Sequence, residues 1–429
     1  MKKVLILSVT AGNGHNACAR SMKNKLEELA GEEVEVKIVD TLKTYSTPLN
    51  FWIADGGYNL AVSKLLPIFN FFYDHYRKLS PDKRWKGGAQ AVAKSCVGGL
   101  LKEILSFRPD AIYCTHFYPA IALTDLKLVY KLPCKIVTSN LDYVNSPYWE
   151  SAIGSDYFII PNEDFIDEFL AEGFKREQLL PLGLPSDGRC LAKFDKSKER
   201  EKIGLKDDIF TIMIMFGGGC WKGGIKIFKN VIDGLGERQA QVIMINGKNQ
   251  KDFDTIEKMT FPDNIKVVNV GFTKEVPTYL ACADVVVSKL GGSGATEILN
   301  VGRPILVTEK VPGQEKCNIV YLKGKGVALS FKNKKQLKEN LVKLYDDEKL
   351  REEMASRTIP LRKNACEDVA KLMLSFDNAD YTDLYNSQRD ILDGDVSCKD
   401  KICKAIQKKV KKAVKEENDK AMRARKHEK

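Results

Sequence analysis

Two Rossmann-like α/β domains, followed by C-terminal helices and a basic tail, are the architecture this sequence predicts. Three observations carry that prediction. Short apolar runs alternate with segments of helical composition from the first residues onward. The alternation pauses at Leu182-Gly183-Leu184-Pro185 and a charged stretch to Lys206, then restarts. With 429 residues, 44% hydrophobic and 29% charged, the chain suits two or three soluble domains rather than a disordered, collagen-like or coiled-coil class.

Residues 4–9 form a continuous apolar run, as expected of a parallel strand buried on both faces. A helical stretch over about 14–29 leads to a second strand at 34–39. Further strands are expected at 111–114, 135–138 and 157–160, each followed by a loop of polar or small residues. The second series begins at 210–215 and continues at 241–246, 266–270, 284–288 and 304–307. A βαβα rhythm implies parallel, doubly wound sheets with right-handed crossovers. The boundaries that follow are 1–184 and 200–358 for the domains, 359–395 for the helical segment and 396–429 for the tail. Two such domains are expected to face a cleft, and open α/β sheets bind ligands outside their strand C-termini.

Composition removes several function classes. The longest stretch without Asp, Glu, Lys or Arg, residues 111–124, falls well short of the ~20 residues that span a bilayer. After Lys2-Lys3 the run VLILSV is too short for a signal peptide, so a cytoplasmic location is expected. Eleven cysteines without a CxxC pair read as reduced, mostly buried thiols. Four histidines argue against a His-rich metal site. Of the formal charge of +11, a surplus of seven lies in residues 400–429. That argues against a wholly basic nucleic-acid-binding body, and the tail suggests an anionic surface as neighbour, with a plain solvated tail as the alternative.

The strand FTIMIMF runs into Gly217-Gly218-Gly219-Cys220-Trp221-Lys222-Gly223-Gly224. Backbone N–H groups of such a turn approach a phosphate closely, and the next helix N-terminus adds positive potential. It is not a Walker A loop, and alone it is equally a plain tight turn. Another strand leads into Ser288-Lys289-Leu290-Gly291-Gly292-Ser293-Gly294-Ala295-Thr296-Glu297. There Glu297 suits ribose hydroxyls, not a phosphate. Then Gln314, Glu315 and Asn318 lie in VPGQEKCN at 311–318, with amides at i and i+4 on one helical face. Helix caps or a polar surface would explain each alone; together, after successive strands of one sheet, they indicate a nucleotide site.

The ordered set SVTAGNGH (8–15), GGGCWKG (217–223), VGFTKEVPTYLACADVVVSK (270–289), LGGSGATE (290–297) and VPGQEKCN (311–318) resembles the diacylglycerol glycosyltransferases. That family includes plant monogalactosyldiacylglycerol synthases and bacterial processive diglucosyl-diacylglycerol synthases. The resemblance covers about residues 1–360 and implies a GT-B fold, a UDP-sugar donor in the second domain and a lipid acceptor at the first. It implies His15 as general base, with Asn13 and Gly14 beside it. Imidazole chemistry agrees, since an ordinary His is half-neutral near pH 6.5. Phe272 and Thr273 match the uracil segment. Glu297 matches the ribose carboxylate, and Gln314 and Asn318 the polar pair at the diphosphate. Gly218, Gly219, Gly292, Ser293, Gly294 and Glu315 complete the donor set. His116, Asp142, Tyr143 and Trp149 fall on acceptor-side segments.

Three departures stand out. Gly294 replaces a family threonine, so Ser293 or Thr296 would have to offer the hydroxyl to phosphate. Ser146 stands where the family has a histidine, and Asn140-Leu141 precede Asp142 where Val-Thr is usual. Between Tyr45 and Trp85, aromatic residues such as Trp52, Phe71 and Phe72 are interleaved with Lys64, Arg77, Lys78, Lys83, Arg84 and Lys86. Such a segment can lie in a membrane interface, and ordinary helix packing is its alternative. Ile402, Ile406, Val410 and Val414 form a narrow stripe in the tail that could lie on anionic lipid.

The sequence thus predicts an inverting hexosyltransferase that uses a UDP-sugar as substrate, without cofactor or metal. Its acceptor is diacylglycerol or glycosyl-diacylglycerol, reached as a peripheral protein at the inner face of the cell membrane. An N-acetylglucosaminyl transferase acting on an isoprenoid lipid and a non-catalytic UDP-sugar sensor or scaffold are the rivals.

Overall fold

The computed structural model describes residues 1–10, 13–81, 83–84, 87–217, 223–388 and 404–416, with Asn13 described in its backbone only. The chain forms two compact units. The first comprises residues 1–141, 145–185 and 365–429; the second comprises 142–144 and 186–364. The segment expected to stand apart at 359–395 is therefore divided between them.

In the first unit, six parallel strands lie in the order β2-β1-β3-β4-β5-β6. They are β1 Lys2–Ser8, β2 Val34–Asp40, β3 Ala111–Cys114, β4 Lys135–Ser139, β5 Tyr157–Ile159 and β6 Leu179–Leu180. Val4, Leu5, Ile6 and Leu7 are wholly buried, which is why the run reads as continuously apolar. Chain order reverses direction between β1 and β3. Helix Asn13–Ala30 follows β1 and packs Cys18, Met22 and Leu26 into a core shared with Cys366, Val369 and Met373 of helix Ala365–Leu374. Asp110 ties the N-terminal edge of the sheet, accepting from the backbone N–H groups of Lys3 and Ala379 at 2.8 Å each.

The second unit repeats the plan, with order β12-β11-β10-β7-β8-β9. Its strands are β7 Thr211–Met215, β8 Ala240–Ile245, β9 Ile265–Val270, β10 Val285–Ser288, β11 Ile305–Thr308 and β12 Ala328–Phe331. Here the reversal lies between β7 and β10. Asp284 anchors this region: Arg200 reaches its carboxylate at 2.8 Å, the Thr211 N–H donates to it at 2.7 Å, and Lys196 is a third partner. Those charges hold its carboxyl below the ordinary range despite burial. The edge strands β6 and β12 were not expected from the sequence, being two and four residues long.

Seven of the eight cysteines among the described residues are buried, and all eight are free thiols. Among the described residues no helix is long and apolar enough to cross a membrane.

Two apolar segments of the first unit differ in fate. Between β2 and the helix Gly87–Phe107, short helices and a π-helical segment, Trp52–Gly57, lead into helix Leu66–Lys78, which buries none of its residues. Leu49, Trp52, Ile53, Leu60, Leu65, Ile68, Phe71 and Phe72 are exposed there, the last two by 68% and 63%. Arg84 departs from the expected basic surface: it is buried, 2.7 Å from Glu172 and 3.4 Å from Glu150. The tail behaves in the opposite way. Residues 404–416 form a helix whose Ile406, Val410 and Val414 are buried on the first unit. Gln407 donates to the Ser95 carbonyl at 3.0 Å, and Lys409 lies over the Tyr130 ring. The stripe expected on lipid is thus consumed in packing, leaving Lys404, Lys408, Lys411, Lys412 and Lys415 exposed. Ile402 lies outside the described residues.

Val410 has no exposed surface, so Val410→Asp should undock this helix. We expect a loss of about 2 kcal/mol, the scale of burying such aliphatic side chains, and faster tryptic cleavage at Lys408–Lys415. Unchanged proteolysis and melting would contradict the docked helix.

Candidate functional site

Both reversals of strand order place loops at strand C-termini, where α/β sheets offer crevices. In the first unit the first turn of helix Asn13–Ala30, after β1, carries His15, and the residues after β3 carry Thr115 and His116. Thr115 is held at the sheet edge: its N–H donates to the Leu7 carbonyl at 3.1 Å and its hydroxyl to Ser8 Oγ at 3.2 Å. Ser8 in turn donates to Asn16 Oδ1 at 2.8 Å. The Thr115 carbonyl then lies 2.5 Å from His15 Nδ1. A carbonyl only accepts, so Nδ1 carries the hydrogen and Nε2 keeps its lone pair. Burial pushes the His15 pKa down to about 4, against a smaller upward effect of the Thr115 bond. The ring is therefore neutral at physiological pH, lower than the ordinary value expected from the sequence.

His116 is 6% exposed, and its Nδ1 accepts the Tyr118 N–H at 3.2 Å, capping helix Phe117–Lys127. Burial first, and His15 second, hold it neutral. The two imidazoles meet edge to face at 4.6 Å. Gly14, beside His15, is exposed, and a Cβ there would meet nothing within 4 Å. Trp149 does not reach this surface: it is 4% exposed, wedged edge-on against Phe158 and Phe117.

In the second unit, β7 is followed by Gly217, whose φ of +79° favours glycine. Gly218 and Gly219 lie outside the described residues. Helix Gly292–Val301 follows β10, and helix Gly313–Gly324 follows β11. Asn318 is fully buried and acts as a strut. Its Oδ1 accepts the Tyr143 N–H at 2.7 Å, and its Nδ2 donates to Asp142 Oδ1 and the Leu290 carbonyl, each at 2.9 Å. Burial raises the Asp142 pKa to about 6, with the Asn318 bond opposing it. Tyr143 stacks on Tyr321 at 5.6 Å, and its hydroxyl lies 3.0 Å from Thr296 Oγ1. Thr296 also donates to the Gly292 carbonyl and is 3% exposed. Ser293, less buried, donates to Glu297 Oε1 at 3.4 Å. Within this unit, Asp142 and Tyr143 thus pack against Asn318 and Thr296.

Glu297 has its pKa raised to about 7 by burial and then by Asp187, with the Ser293 hydroxyl and Arg189 opposing. Phe272 is 63% exposed with Lys248 over its ring, and Thr273 Oγ1 accepts the Glu275 N–H. Gln314 is half-buried, whereas Glu315 is buried and paired with Lys289 at 2.5 Å. Sequence reasoning missed Lys289 as a partner of Glu315 and the pair Asp187–Arg189 near Glu297. Lys289 was visible as a lone cation ahead of the glycines; Asp187 and Arg189 sit in a linker without periodic signal.

Comparison with known proteins adds to this geometry. The monogalactosyldiacylglycerol (MGDG) synthase family matches residues 15–185, and the glycosyltransferase family 28 C-terminal domain matches 222–373. A processive diacylglycerol beta-glucosyltransferase of Staphylococcus saprophyticus is 26% identical over 329 residues, 76% of this chain and 80% of that protein. A probable monogalactosyldiacylglycerol synthase of Nicotiana tabacum is 26% identical over 347 residues, 78% of this chain and 63% of its own length. MurG of Acinetobacter baumannii superposes with a TM-score of 0.57 at 13% identity, covering 88% of this chain and all of that one. The family resemblance carried by the sequence motifs thus holds in both halves of the chain, and the fold is that of GT-B glycosyltransferases.

Asn318→Ala would leave a backbone N–H, a carbonyl and a buried carboxyl short of partners. The second unit should lose about 3 kcal/mol in urea unfolding, at ~1–3 kcal/mol per orphaned group. A neutral substitution would refute the strut.

Proposed function

We propose that this chain, a glycosyltransferase of the diacylglycerol glycosyltransferase family, moves a hexose from a UDP-sugar to diacylglycerol or a glycosyl-diacylglycerol, with inversion. The observation that carries the reading is the His15 tautomer: an unprotonated Nε2 next to exposed Gly14, in the unit that also exposes the apolar helices. There a lipid hydroxyl would lose its proton to Nε2 as it attacks the anomeric carbon, and UDP would leave. In the second unit, Glu297 accepts from ribose hydroxyls and Phe272 offers a face to the base. Ser293 and Gln314 donate to the departing diphosphate and so stabilise its developing charge. The scheme uses no metal. Exposed Trp52, Phe71 and Phe72, with Lys64, Arg77 and Lys78, seat the protein on an anionic membrane face. The lysine face of helix 404–416 adds electrostatic attraction without insertion.

Incubation with UDP-glucose, UDP-galactose and UDP-N-acetylglucosamine, each with diacylglycerol or isoprenoid-lipid vesicles, tests the reading by mass spectrometry of products. Hexosyl-diacylglycerol is expected; transfer to the isoprenoid lipid alone, or UDP-sugar binding without turnover, would replace it with a rival. His15→Ala should lower kcat by ~10²–10⁴ and leave UDP affinity unchanged. The neutral imidazole is the active form, so activity should persist down to about pH 5 and fall only as pH drops through about 4.

Glu297 gives an independent measurement. Ribose hydroxyls bind the ionised carboxylate better, and a pKa of about 7 leaves it mostly protonated at pH 6. UDP affinity should therefore rise roughly tenfold from pH 6 to pH 8, from the change in ionised fraction alone. Because the diphosphate titrates nearby, Glu297→Gln supplies the baseline. If the variant keeps the whole pH dependence, Glu297 does not touch the ribose.

A further inference from the structure

Tyr148, in the loop after β4, has φ +85° and ψ −14°. Among the described residues only Arg108 shares a positive φ without being glycine. A tyrosine is strained there, and such strain persists only where surroundings over-determine it. They do. Glu150 pairs with buried Arg84, Arg84 also holds Glu172 and the Arg77 carbonyl, and Asn145 donates to Glu172 at 2.9 Å. One buried charged cluster thus pins both ends of the loop.

Core packing does not explain the tyrosine, because Trp149 fills the interior. Tyr148 is instead half-exposed, 5.5 Å from Tyr76 of the apolar helix and 5.2 Å from Phe117. Tyr76 and Phe117 are half-exposed as well. Phe117 meets His116 at 4.1 Å, and His116 meets His15. An unbroken aromatic wall therefore runs from the exposed apolar helix to the proposed base. Phe71 and Phe72, more exposed than these residues, would offer acyl chains a surface of their own.

A bare diacylglycerol brings its hydroxyl to His15 directly. In a hexosyl-lipid the reacting hydroxyl belongs to the sugar, so one hexose ring lies between the lipid and His15. That ring has an apolar C–H face and a polar rim, which suits a flat aromatic wall. We propose that Tyr148, flanked by Tyr76 and Phe117, is an acceptor subsite for a hexose already attached to the lipid. It is a specificity-determining position, and it rests on the lipid-glycosylation reading of His15.

The test compares wild type, Tyr148→Gly and Tyr148→Phe on dioleoylglycerol and on monoglucosyl-dioleoylglycerol in mixed vesicles, with the UDP-hexose that the wild type turns over. Glycine adopts this φ without strain, so the melting temperature should not fall. Tyr148→Gly should raise KM for the monoglucosyl acceptor at least tenfold more than for dioleoylglycerol, and Tyr148→Phe should retain the wild-type ratio. Equal losses on both acceptors, or an unchanged ratio, would overturn the subsite. Saturation-transfer NMR with octyl β-glucoside needs no turnover and separates the two failures. Saturation of the glucose ring in wild type that disappears in Tyr148→Gly would keep the subsite even if wild type transferred to neither lipid. No ring saturation in wild type would remove it.

Discussion

The hydrogen bond between His15 Nδ1 and the Thr115 carbonyl is the constraint on which the first site depends. It exists because β1 and β3 pair in parallel, Leu7 opposite Cys114, so their following loops emerge side by side. The pairing orients Thr115, the carbonyl selects the tautomer, and the tautomer leaves Nε2 as acceptor. Burial then keeps the ring uncharged. A surface histidine would be half-protonated near pH 6.5 and would lack this orientation. The neutral, oriented imidazole is made by topology.

The second sheet solves a related problem with different parts. Its reversal between β7 and β10 sets Gly217 beside the helix that begins at Gly292. Loops carrying so many glycines need outside support, which Asn318 supplies by joining residues 142 and 143 to Leu290. An amide does this well because it donates and accepts at once without adding charge. Its full burial lets it make all three bonds within the protein.

Much of this is legible in the sequence, and the failures have physical causes. Central strands, buried on both faces, appear as apolar runs, so both sheets and the break between them can be read. Edge strands β6 and β12 are too short for such a signal. His15 and Glu297 stand out by their place after strands. Tyr148 does not: a left-handed tyrosine has no sequence signature, and the ions that fix it, Arg84, Glu150 and Glu172, are dispersed along the chain. The tail stripe at Ile406, Val410 and Val414 is apolar as its spacing says, but it packs on protein rather than lipid, because spacing reveals a buried face without revealing what covers it.

The two apolar segments differ in whether the protein covers them. The tail stripe is one residue wide and is fully covered by the first unit. The segment from Leu49 to Phe72 exposes apolar side chains in succession, more than scattered surface residues would require. Yet it is not loose, since the Arg84 cluster grips its far end and Tyr73 approaches Ser146 at 3.3 Å. Buried ions are a poor source of stability but a good source of geometry, because every unpaired alternative is costly. The exposed surface and the loop of Tyr148 are therefore set by the same charges, so a change at Glu150 or Glu172 would disturb both together.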